Sequence, residues 1–82
     1  MTAVTEPPLQ LPSADYDRAL LTATATLVHE SAKPAGRVIA VVARAKRRTI
    51  DLYRLIGYPL PPPEHFEAMV IGMARRDLRV AD

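Results

Sequence analysis

The chain predicts an all-α fold: a small three-helix domain behind an extended, proline-rich N-terminal arm. Two observations carry this expectation. All eight prolines lie at or outside the ends of three segments whose apolar residues recur every three to four positions, the helical period. Charge at the ends of the first and third segments also follows the helix dipole, with acids early and bases late. Eighty-two residues without cysteine leave room for one core and no disulfide or thiolate metal site. Such a core rarely supplies more than ~3–5 kcal/mol, so self-association or a partner is the expected further support.

Residues 1–12, "MTAVTEPPLQLP", form the arm. Pro7, Pro8 and Pro12 fix their own φ and bias the preceding residues toward extended geometry, so the arm is expected to be extended or disordered. Leu9 and Leu11 are its large apolar residues, suited to docking on a neighbouring surface. Residues 13–82 are read as a single domain with helices over about 14–32, 37–56 and 63–79.

In the first helix Ser13 is the expected N-cap, and Asp15 and Asp17 suit the first turn. Pro34 and Gly36 are the stop signals. Tyr16, Leu20, Ala23 and Leu27 share one face, widened by Leu21 and Val28, and Thr22 and Thr26 fall on the polar side. The alternation of Thr22, Thr24 and Thr26 with alanine also permits a strand, pairing Leu20–Val28 with Val38–Ala43 as a hairpin. That alternative leaves both helix caps unused and needs a long, proline-containing connection in place of a tight Asn-Gly turn.

The second helix is expected to end at Gly57, with Pro59 beyond. Val38, Ala45 and Leu52 are seven apart, as are Val42, Thr49 and Ile56. These interlocked series make a continuous apolar seam, extended by Ile39, Ile50 and Tyr53. So wide a stripe points to a homo-oligomer, with Val38, Val42, Ala45, Thr49, Leu52 and Ile56 as its seam. Arg37, Arg44, Arg47 and Arg48 fall on the opposite side with Asp51, and Arg54 lies at the edge. Lys46 is expected to lay its stem along the apolar side with the ammonium reaching water.

"GYPLPPP" is a stiff connection to the third helix. There Pro63, Glu64 and Glu67 suit the start, and Arg75, Arg76 and Arg79 the end. Phe66, Met69, Val70 and Met73 form one face, and Ile71, Ala74 and Leu78 a second. Met69 and Met73 read as core filling. Gly72 weakens the helix by ~1 kcal/mol relative to alanine, and would let another helix approach closely.

Chemistry-bearing motifs are sparse. His29 and His65 are far apart, and His29-Glu30 and Glu64-His65 lack helical metal-ligand spacing. No glycine-rich phosphate loop or nucleophile elbow occurs, and the dipole accounts for Asp15, Asp17, Glu64 and Glu67. The expectation is therefore no enzyme, no cofactor and no metal. The motifs do not assemble into the pattern of a known family.

No basic, apolar leader is visible, and the longest uncharged apolar run, Val38 to Ala43, is far short of the ~20 residues of a membrane span. A cytoplasmic protein is expected. Nine arginines against two lysines suggest a GC-rich bacterial or phage genome.

The net charge of +2 conceals a segregation: residues 37–56 carry +5, flanked by −2 before and −1 after. Arg37, Arg44, Arg47, Arg48 and Arg54 thus form a candidate face for an acidic protein partner or for nucleic acid. A helix-turn-helix reading fails, because a proline-rich link replaces the short turn and Glu64 and Glu67 would meet the phosphates. No aromatic interleaves the basic run to stack bases. The expected function is a non-enzymatic protein–protein interaction module, partnered by itself and another protein. A small nucleic-acid-binding regulator is the alternative.

Overall fold

A computed structural model describes residues 13–80, of which only the backbone is described at Val80. The expected proline-rich arm lies outside these residues. Three helices follow one another: α1 (Ala14–Ser31), α2 (Ala35–Ile56) and α3 (Pro63–Val80). Both halves of the alternative hairpin, 20–28 and 38–43, are helical.

Each helix end has a backbone cause. Ser13 is the N-cap of α1 in extended geometry, but its side chain makes no capping bond; its carbonyl instead accepts from the Tyr16 amide at 3.2 Å. The end of α1 departs from expectation. Gly36 is helical, inside the first turn of α2, and the left-handed C-cap is Ala32 at φ 58°. Pro34 explains the placement, because it disfavours helical geometry at Lys33 and forces the chain to turn just before. The Ser31 hydroxyl ties this turn, donating to the Leu27 carbonyl and accepting from the Lys33 amide. Gly57 ends α2 as expected, at φ 77°. Its amide donates to Arg54 and the Tyr58 amide donates to Tyr53, the paired bonds of a Schellman motif. At α3 the Phe66 amide donates to the Pro62 carbonyl at 2.9 Å, closing the first turn around Pro63.

α2 runs antiparallel to both neighbours. The Thr49 hydroxyl donates to the Ala45 carbonyl and lies 3.5 Å from the Met73 sulfur, and the Tyr53 hydroxyl lies 3.6 Å from the Met69 sulfur. α1 and α3 lie parallel. Tyr16 meets Phe66 edge to face at 5.4 Å near their starts, and Glu30 meets Arg75 at 3.0 Å near their ends. The core between them consists of Ala23 and Leu27 from α1, Val38, Val41, Val42, Ala45 and Ile50 from α2, and Phe66, Val70, Ala74 and Leu78 from α3. Small residues on every helix let the axes approach, and Phe66 is the largest fully buried side chain among the described residues.

Several expected facial assignments are corrected. Leu21 and Ile39 are 72% and 55% exposed, because each lies about 100° around its helix from a core neighbour, Leu20 and Val38. Ala19 and Val41, not assigned to the core from sequence, are buried. Gly72 admits no close neighbour, since a Cβ built there meets nothing within 4 Å.

Two substitutions are expected to stabilise the protein for opposite backbone reasons. Gly72→Ala restricts the unfolded chain at an open helical site, worth about 0.5–1 kcal/mol. Ala32→Gly relieves a left-handed residue of its Cβ penalty, by a similar roughly 0.5–1 kcal/mol. Thermal melts should rise for both; a fall for Gly72→Ala would mean that a helix from outside the bundle packs there.

Candidate interaction face on α2

Of the six residues expected to form a seam between copies, four lie inside the protomer. Val38, Val42, Ala45 and Thr49 are buried against α1 and α3, at most 5% exposed. The wide arc is therefore taken up within one chain, because α2 packs against α3 and, less extensively, against α1. Leu52 and Ile56, the last members of the two seven-residue series, are 44% and 50% exposed.

The basic residues sit on the outside of the same helix. Arg37, Arg44, Arg47, Arg48 and Arg54 are all exposed, and Lys46 is half-buried, as its place on the apolar side predicts. Arg48, itself exposed, reaches the half-buried Asp77 at 3.7 Å, a surface pair worth ~0–1 kcal/mol. Asp77 neutralises one arginine of the cluster and leaves the surface strongly positive. Among the described residues, Arg44, Arg47 and Arg54 have no acidic partner within ion-pair distance.

One apolar residue interrupts this charged face. Arg44, Arg48, Asp51 and Leu55 follow one another at intervals of four, three and four, which places them in a single stripe along α2. Leu55 is 83% exposed, the most exposed large apolar side chain among the described residues. Sequence reasoning missed it. Its signal was available: Leu55 falls outside both seven-residue series, on the side of the arginines.

Family models, curated proteins and solved structures gave no match. The functional reading therefore rests on this surface alone.

Other surfaces offer less. A shallow depression between the ends of α1 and α3, lined by Glu30, Ser31, Lys33, Arg75 and Arg79 over Leu27 and Leu78, is crossed by the Glu30–Arg75 ion pair. His29 and His65 are exposed, and among the described residues no three acidic or histidine side chains could hold one metal ion. No helix among the described residues is long and apolar enough to cross a membrane.

Proposed function

We propose that this chain is a non-enzymatic helical protein–protein interaction module that binds through the Arg44–Arg48–Asp51–Leu55 stripe of α2. Arg37, Arg47 and Arg54 flank that stripe. The observation that carries the reading is Leu55, a large aliphatic side chain held in water within a field of arginines. A solvated structural face tolerates a lone leucine but gains nothing from it. A contact surface does, because an apolar anchor surrounded by charged groups is the usual anatomy of a protein interface. The complementary partner presents an apolar pocket with acidic groups around it. The arginines then steer association and Leu55 slows release.

A second copy is a poorer candidate for this partner, because the seam on which self-association was expected is largely internal to one chain. Nucleic acid is the second reading, favoured by the arginines without acidic partners. Asp51 and Leu55 count against it, since a carboxylate on the stripe repels phosphate and a leucine adds nothing to backbone binding.

The two readings separate in a titration with labelled duplex DNA and duplex RNA. A protein-binding face gives at most weak, sequence-independent association. A phosphate-binding face using several of these arginines would lose roughly 10³-fold or more in affinity between low and physiological salt. It would also lose binding in the Arg44→Gln, Arg47→Gln, Arg48→Gln triple variant, whose fold should survive because all three side chains are exposed. Tight, salt-steep binding abolished by that variant would replace the protein partner with nucleic acid.

A further inference from the structure

Two methionines of α3, one turn apart, turn their sulfurs toward hydroxyl groups of α2. The Met69 sulfur lies 3.6 Å from the Tyr53 hydroxyl, and the Met73 sulfur 3.5 Å from the Thr49 hydroxyl. A thioether is a weak acceptor, so each hydroxyl faces an atom that makes little use of its proton. Both methionines are half-buried, which leaves a small oxidant a path to either side chain.

The two pairs differ in what surrounds them. Tyr53 is half-buried, and among the described residues its hydroxyl meets no hydrogen-bond partner other than the Met69 sulfur. Thr49 is fully buried, its hydroxyl already donates to the Ala45 carbonyl at 2.9 Å, and Met73 packs against the core. One hydroxyl therefore has a proton to give, and the other has its proton committed inside an apolar setting.

That difference decides what oxidation does at each sulfur. A sulfur lone pair attacks one oxygen of hydrogen peroxide and the O–O bond breaks. The sulfur is oxidised to a sulfoxide, and the peroxide is reduced to water. The added oxygen is a far stronger acceptor than the sulfur it sits on. At Met69 it turns a weak contact with Tyr53 into an O–H···O bond of roughly 2.5–3.0 Å. At Met73 it enters the core beside Thr49, where an unpaired polar group is costly.

We propose that Met69 is a peroxide-modified site whose sulfoxide is held by the Tyr53 hydroxyl, so that the bundle takes up one oxygen there without losing its fold. The site is independent of the arginine stripe and of the partner that binds it.

The test isolates each methionine in the full chain. Met73→Leu keeps Met69, and Met69→Leu keeps Met73; leucine conserves volume at both positions. Each variant is treated with hydrogen peroxide, the modified peptide is identified by mass spectrometry, and thermal melts are compared before and after. Oxidised Met69 should leave the melting temperature unchanged or raised. Adding Tyr53→Phe to Met73→Leu should make the oxidised form melt roughly 4–8 °C below its own reduced form, the loss of one hydrogen bond in a domain of this size. Met73 in the Met69→Leu variant should resist the oxidant or, once oxidised, melt lower. In the unsubstituted protein, partial oxidation followed by a pulse of protease should leave the Met69 sulfoxide in the surviving folded fraction. An unreactive Met69 overturns the proposal. So does a fall at Met69 as large as at Met73, or an oxidised Met69 form indifferent to Tyr53→Phe.

Discussion

Phe66→Ala is expected to leave the protein largely unfolded at room temperature. Phe66 is fully buried, the largest such side chain among the described residues, and touches Tyr16 edge to face. Truncating a buried phenylalanine costs about 3–5 kcal/mol, through lost transfer energy and the cavity left behind. A core in a chain this short supplies ~3–5 kcal/mol in all, so the variant has almost nothing left. Small residues dominate the rest of the core and collapse poorly into the void. Far-ultraviolet circular dichroism and a thermal melt decide the matter. A cooperative transition within a few degrees of the parent would mean that the three helices are held by something other than this packing.

The second large effect is a contrast along one line of α2. Ala45→Asp places a carboxylate at a fully buried position and should abolish folding, since no cationic partner faces the core there. Ile56→Asp, eleven residues further along the same seam but half-exposed, should cost about 1 kcal/mol or less, because water still reaches the new charge. On the sequence alone both belong to one seam and would be equally damaging. Denaturant titration of the two variants therefore tests whether the seam is internal to the protomer. Equal, severe losses would mean that Ile56 is covered by a protein surface beyond residues 13–80.

The helices were legible because independent signals agree at most boundaries, the turn between α1 and α2 excepted. Gly57 followed by Pro59, Pro63 before Glu64, and the acidic first turns give the same bounds as the apolar spacing. The period also gave most of the core, down to Phe66, Val70, Ala74 and Leu78. Two features escaped for physical reasons. Ala32 takes the left-handed cap in place of glycine because Pro34, two residues downstream, constrains the turn more strongly than the preference of Ala32 itself. The seam was misassigned because a wide apolar arc has the same sequence pattern whether it faces two helices of its own chain or another protein. Only tertiary placement separates those cases. The basic face, by contrast, needed no tertiary information, since Arg44, Arg47 and Arg48 cluster on one side by spacing alone. Leu55 was passed over within it, because single apolar residues on a charged face are common and carry no period of their own.

The central claim is that the outer stripe of α2 is a protein-binding face, and a photo-crosslinking residue placed at position 55 tests it most directly. The same residue at position 22, exposed on α1, is the control. In the cells that make this protein, position 55 should give a discrete protein adduct that position 22 does not. The Arg44→Gln, Arg47→Gln, Arg48→Gln background should weaken that adduct. Adducts to nucleic acid at position 55, or none beyond those at position 22, would contradict the account.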